Sequence, residues 1–236
     1  MEKNNNLKNE IIKDYNLKIY QDDRFFKYGL DSVELVKFIE DIEKNKNLSN
    51  KKIIDLCSGS GIIGLLIQRT FKLNEIYFLE KQENFVKLNE LNAKENLNNV
   101  KYKVFNLDIL NIDNYILGKM ESSFDIITVN PPYKKYNSGI DSKNLEKTIA
   151  KKESEDFLEK LFEFSNKILK NNGKIYMVNR VDRIVDICYI ARKYKLEPKI
   201  LKIISNNKNM PKLILIQFVK NGGEFLKVLE NKIIKK

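Results

Sequence analysis

Three observations predict an α/β chain built on one doubly wound sheet. Short apolar runs alternate with stretches of helical periodicity, a glycine-rich loop follows the first central run, and a link too short for a crossover helix joins the last two runs. The 236 residues suit one large domain or two small ones. With 42% apolar and 32% charged residues the chain can bury a core and stay hydrated, which excludes global disorder.

Taken in order, residues 1–20 are polar and rich in Asn and Lys, which predicts a loose arm. Asp31-x-x-Glu34 resembles a capping box, and Leu35, Phe38, Ile39 and Ile42 follow at helical spacing, so a helix is expected from Asp31. Ile53 to Leu56 is a strand that ends in small residues, and residues 61–69 form the next helix. Ile76 to Glu80 predicts a strand, Glu83 to Leu97 a helix and Tyr102 to Asp108 a strand. Phe124 to Val129 has almost no polar break, the mark of a strand covered on both faces. A Lys-rich loop is expected over residues 130–152.

Phe157, Leu161, Phe164 and Ile168 then mark a helix stopped by Asn171-Asn172-Gly173. Lys174 to Val178 is a strand and residues 181–194 a helix. Lys199 to Ile204 and Lys212 to Val219 are strands whose short link makes them antiparallel. The total is seven strands ending in an antiparallel hairpin. The expected division is an arm over 1–30, one domain over 31–220 and a basic tail over 221–236.

Composition limits the chemistry. There is no histidine, which excludes Ser-His-Asp and Cys-His nucleophiles and imidazole metal ligands. Two cysteines, Cys57 and Cys188, are too few for a disulfide scaffold or a four-thiolate zinc site. They fit a reduced, cytoplasmic chain, and no apolar run approaches a membrane span. The net charge of +11 favours a polyanionic partner, nucleic acid ahead of membrane.

Gly59-Ser60-Gly61-Ile62-Ile63-Gly64 fits G-x-G-x-x-G between a strand and a helix, where small residues let a ligand approach the backbone. Glu80 lies about 20 residues past Gly59, the spacing at which an acid reaches ribose hydroxyls. Asp108 ends the following strand. A dinucleotide and S-adenosylmethionine both fit these features. Asp55 favours the second, since a carboxylate there suits an ammonium and not a pyrophosphate. Cys57 fills a small position in the loop and reads as packing.

Asn130-Pro131-Pro132-Tyr133 follows the fourth strand. Its prolines fix the backbone and remove two donors. The Asn130 side chain and the Pro131 carbonyl can accept the two hydrogens of an exocyclic amino group, while Tyr133 stacks on its ring. No strong base is needed, because the nitrogen becomes acidic only after it has been alkylated.

Asp55-Leu56-Cys57-Ser58-Gly59-Ser60-Gly61, Glu80, Asp108 and Asn130-Pro131-Pro132-Tyr133 resemble the successive motifs of class I amino-methyltransferases, which have a Rossmann-like sheet. Within these, Lys27-Tyr28-Gly29-Leu30-Asp31-Ser32, the segment from Phe124 to Tyr133, Lys147 to Glu153 and Pro211 to Gln217 are most similar to bacterial enzymes that N6-methylate an adenine of valine tRNA. The resemblance implies S-adenosylmethionine as cofactor, held by Asp31, Asp55, Cys57, Gly59, Gly61, Glu80, Asp108 and Asn130. It implies tRNA as partner and a target adenine at Asn130, Pro131 and Tyr133. Cys57 stands where the family usually has glycine, Leu30 where some members have threonine, and Lys151-Lys152 where Arg-His is frequent.

The same motif serves release-factor glutamine, DNA adenine and ribosomal guanine methylation. Only 54 residues precede Asp55, fewer than the helical domain expected of the glutamine enzymes, and the loop is short for a DNA-recognition insertion. Lys134, Lys135, Lys143, Lys147, Lys151 and Lys152 suit a rim that follows an RNA backbone. An NAD-dependent oxidoreductase leaves Asn130 to Tyr133 and the terminal hairpin unexplained. A non-catalytic RNA-binding module leaves the intact motif set without a use.

Overall fold

The computed structural model describes residues 7–22, 29–132, 145–206 and 210–233, with the side chains of 145–155 left aside. Strands β1 (Leu7–Ile12) and β2 (Leu17–Asp22) pair antiparallel where the sequence suggests a loose arm. The signal for β2 was the alternation of Leu17 and Ile19, both fully buried, with exposed or half-buried neighbours. Asn16, in the left-handed region at φ 48°, makes the turn.

Helix α1 (Leu30–Glu43) starts one residue before the expected position, and the capping box does not form. Gly29 is the N-cap and no side chain caps the first turn. Glu34 is instead buried and accepts Lys232 Nζ at 2.8 and 2.6 Å. The central sheet then alternates with helices: β3 (Ile53–Leu56), α2 (Ile62–Phe71), β4 (Glu75–Glu80), α3 (Glu83–Asn96), β5 (Lys101–Asn106), α4 (Asn114–Met120) and β6 (Phe124–Val129). The rest comprises α5 (Leu145–Ile168), β7 (Leu169–Arg180), α6 (Ile184–Lys193), β8 (Leu196–Ser205) and β9 (Pro211–Lys220). Helix α5 takes over the end of the expected Lys-rich loop. Asn171 to Gly173 do not end a helix; they fall inside β7, where its register with β6 shifts.

The sheet order is β8-β9-β7-β6-β3-β4-β5, with one further short strand beyond β8. Pairing is parallel from β5 through β7 and antiparallel where β9 inserts between β7 and β8. The seven expected strands are all present. Two short ones, β10 (Lys227–Val228) and β11 (Lys232–Ile233), lie parallel along β8, where the sequence suggests a basic tail.

Alternate residues of β3 serve opposite faces: Ile54 and Leu56 join the core under α5 and α6, Ile53 the core under α1, α2 and α3. Coverage on both faces explains why the central strands read as continuous apolar runs. Among the described residues, no helix is long and apolar enough to cross a membrane.

Candidate cofactor and substrate site

The strand order reverses at the β3–β6 boundary, and in open parallel sheets that switch point opens a crevice beyond the carboxyl ends of the strands. Register sets what meets there. Leu56 pairs with Leu79 on one side and with Val129 on the other. Cys57, Glu80 and Asn130 therefore come off three adjacent strands at one level.

The loop after β3 is held open by backbone geometry. Gly59 has φ +52°, and a Cβ placed there would meet nothing within 4 Å, so this residue faces free space. Gly61, at φ +85°, is closed in: a Cβ would lie 2.6 Å from Asn89 Oδ1. Cys57 also sits in the left-handed region, at φ 54°, at the position where the resembling family usually has glycine. Its side chain packs against the α5–α6 core. Burial, and then the charges of Glu80, Asp55 and Asp108, push its thiol far above the ordinary range, so no thiolate is available.

Glu80 ends β4 and is 6% exposed. Gly59 N–H donates to its Oε2 at 2.9 Å and Gln82 N–H to its Oε1 at 2.9 Å. Each oxygen keeps lone-pair capacity for a ligand hydroxyl beside the open face of Gly59. Asp108 sits beyond β5 and caps a short 3-10 turn, accepting from Leu110 N at 3.0 Å and pairing with Lys81 at 2.9 Å. Burial opposes its ionisation, but Lys81, the Leu110 N–H and Asn111 together hold its carboxyl below the usual range.

Asp55 has a bracing role that its sequence did not show. It is fully buried; Thr128 Oγ1 donates to its Oδ1 at 2.7 Å and Gly64 N–H to its Oδ2 at 3.2 Å. The carboxylate thus ties β3 to β6 and to the first turn of α2. Burial pushes its pKa up to about 7, with Glu80 adding to the rise and the two donors opposing it.

Asn130 follows β6, and its Nδ2 donates to Ser32 Oγ, 3.2 Å away in the first turn of α1. Asp31 precedes Ser32 in that turn, with its carboxylate beside Gly29, so α1 begins next to the end of β6. Pro131 is buried and Pro132 exposed. Tyr133, Lys134, Lys135 and Lys143 lie outside the described residues. Lys147, Lys151 and Lys152 fall within α5, where only the backbone is described.

Sequence reading missed the residues that brace this crevice. Asn89 Nδ2 donates to Ser58 Oγ at 2.9 Å, and Asn92 Nδ2 donates to Ser60 O at 2.9 Å. Their signal was polar residues at i and i+3 on the apolar face of a helix, between Phe85, Leu88 and Ala93. Asn89 Oδ1 is buried with no hydrogen-bond partner among the described residues. No group of three or more metal-binding side chains occurs among the described residues.

Comparison with known proteins agrees with this architecture. The family described as the methyltransferase small domain matches residues 35–185. A release factor glutamine methyltransferase of Thermodesulfovibrio yellowstonii is 35% identical over 58% of this chain and 50% of its own length. A tRNA1(Val) (adenine(37)-N6)-methyltransferase of Haemophilus influenzae is 33% identical over 68% of this chain and 64% of its own. The chain thus spans between half and two thirds of the length of these relatives. The solved structure of M. jannaschii TYW2 in complex with AdoMet shares the fold at a TM-score of 0.58, with 15% identity, over 89% of this chain and 85% of the other. With its family match running from α1 to the start of α6 across the whole switch-point crevice, the chain belongs to the methyltransferase small domain family.

Proposed function

We propose that the chain is an S-adenosylmethionine-dependent methyltransferase acting on the exocyclic N6 of an adenine in tRNA. The observation that carries this reading is the shared level of the loop after β3, Glu80 after β4 and Asn130 after β6. The open face of Gly59 and the remaining lone pairs of Glu80 fit an adenosyl ribose, and Asp108 and Asp31 flank the same crevice. Bound there, S-adenosylmethionine supplies an electrophilic methyl group on a sulfonium sulfur.

The chain's own residues then present the nucleophile. Asn130 Oδ1 and the Pro131 carbonyl accept the two amino hydrogens, which draws the nitrogen lone pair out of conjugation with the ring and aims it. Ser32 holds the amide of Asn130, and Tyr133 stacks on the flipped base. The proton that the nitrogen releases after alkylation goes to solvent, so histidine is not required. In this scheme Asp55 positions the loop. Orientation carries most of the rate.

Support for tRNA comes from the +11 charge, the lysines of residues 134–152 and the H. influenzae relative. A second reading, glutamine methylation in a release factor, is favoured by the T. yellowstonii relative, and a glutamine carboxamide offers the same planar NH2 group. The two separate in one experiment. Labelled methyl from S-adenosylmethionine is offered to unmodified tRNA and to unmodified release factor in parallel, and the label is expected in the tRNA. Label confined to the release factor overturns the tRNA assignment and retains the methyltransferase.

A further inference from the structure

Helix α3 carries asparagines at 89, 92 and 96, on the side that faces both the glycine loop and the N-terminal hairpin. Asn92 is fully buried and uses every polar atom of its side chain. Tyr20 N–H donates to Asn92 Oδ1 at 2.7 Å, and Asn92 Nδ2 donates to Tyr20 O at 3.1 Å and to Ser60 O at 2.9 Å. One carboxamide thereby replaces a missing strand neighbour for β2 and fixes the carbonyl between Gly59 and Gly61. Asn96 repeats the first half of this pattern. Lys18 N–H donates to its Oδ1 at 3.1 Å, and its Nδ2 donates to Lys18 O and to Asn92 O, each at 2.8 Å; among the described residues it makes no hydrogen bond to the loop.

We infer that Asn92 is a positioning residue that couples the N-terminal hairpin to the glycine loop, so that cofactor binding and hairpin docking stabilise each other. This rests on the glycine loop being the cofactor site. If the bound cofactor orders Ser60, Asn92 is held in the orientation that pairs Tyr20. Release of the hairpin conversely frees the carboxamide and loosens the loop. Linkage makes the two effects equal in size. Asn96 is the internal comparison, since it fastens the hairpin and the Asn92 backbone carbonyl without a hydrogen bond to the loop among the described residues.

The test uses the full chain and S-adenosylhomocysteine as probe. In the unaltered protein, saturating probe is expected to slow hydrogen exchange at the Tyr20 amide by about tenfold, a coupling of ordinary size. Asn92→Ala is expected to weaken probe binding by about tenfold and Asn96→Ala by less than about twofold, with hairpin protection lowered in both. A purely structural clasp predicts equal effects of the two substitutions and no response of Tyr20 to the probe. Either result overturns the inference, and the exchange measurement decides it even if Asn92→Ala does not fold. A wild-type chain that binds no probe overturns the cofactor reading and this coupling with it. Binding with an indifferent Tyr20 overturns the coupling alone.

Discussion

Replacing Asp55 by Asn should change how stability depends on pH, in a direction and size that follow from its burial. The carboxyl has an ordinary pKa of 3.8 and a folded value of about 7. Between those two values the folded state holds a proton that the unfolded chain has released. Stability attributable to this group therefore falls as pH rises, by about 1.4 kcal/mol per unit, and stops falling above about pH 7. The whole interval is worth about 4 kcal/mol.

An asparagine keeps both contacts: its Oδ1 can accept from Gly64 N–H, and its Nδ2 can donate to Thr128 Oγ1. Urea unfolding of both proteins from pH 5 to 8, without cofactor, isolates the effect as a difference. Groups with the opposite sign cancel in that difference. Glu43 is one: burial opposes its charge, but Lys174, Tyr176 and Lys46 hold its carboxyl below the usual range, so its contribution is lost on the acid side. Relative to wild type, Asp55→Asn should gain about 3 kcal/mol between pH 5 and 7 and then level off. A difference that stays constant across this range, or that favours wild type with rising pH, would refute the assignment of Asp55 as a buried brace whose pKa burial raises.

Substitutions at three other positions probe the crevice. Glu80→Ala should weaken S-adenosylhomocysteine binding by about 1–3 kcal/mol in calorimetry, because ribose hydroxyls lose a charged acceptor; unchanged affinity in a folded variant removes Glu80 from the site. Gly61→Ala should cost at least about 2 kcal/mol in urea unfolding, since its φ of +85° disfavours a side chain and the new Cβ meets Asn89; a neutral effect would show that the loop is not closed against α3. Asn130→Ala should cut methyl transfer about 100-fold with near-normal cofactor affinity, and Asn130→Asp should be milder because an acceptor oxygen survives; a wild-type rate in Asn130→Ala dismisses the proposed presentation of the amino group.

The parts of this protein that were legible in its sequence are those set by periodicity and local chemistry. Helix α1 announced itself through Leu35, Phe38 and Ile39, and β6 through its apolar run, because both bury continuous stripes. The turn after β3 was legible because left-handed backbone favours glycine at 59 and 61. What escaped depends on tertiary partners. Strand β1 exposes most of its residues and carries no alternation of its own. Glu34 reads as a cap until Lys232, nearly 200 residues away, is placed beside it. The bracing role of Asp55 shows only once Thr128 is brought alongside by the β3–β6 register. The partners of Asn89, Asn92 and Asn96 were not legible, since nothing local shows that Ser58 and Ser60 of the loop and Lys18 and Tyr20 of the hairpin will cover them.

The central claim is that this crevice delivers a methyl group to the amino nitrogen of an adenine presented by Asn130. It is tested most directly by incubating the chain with labelled S-adenosylmethionine and unmodified tRNA, digesting the RNA to nucleosides and identifying the labelled one. N6-methyladenosine is expected, and is lost when Asn130→Ala replaces the wild-type chain. Label in a ring-methylated nucleoside or in N2-methylguanosine, or N6-methyladenosine formed equally by Asn130→Ala, would contradict it.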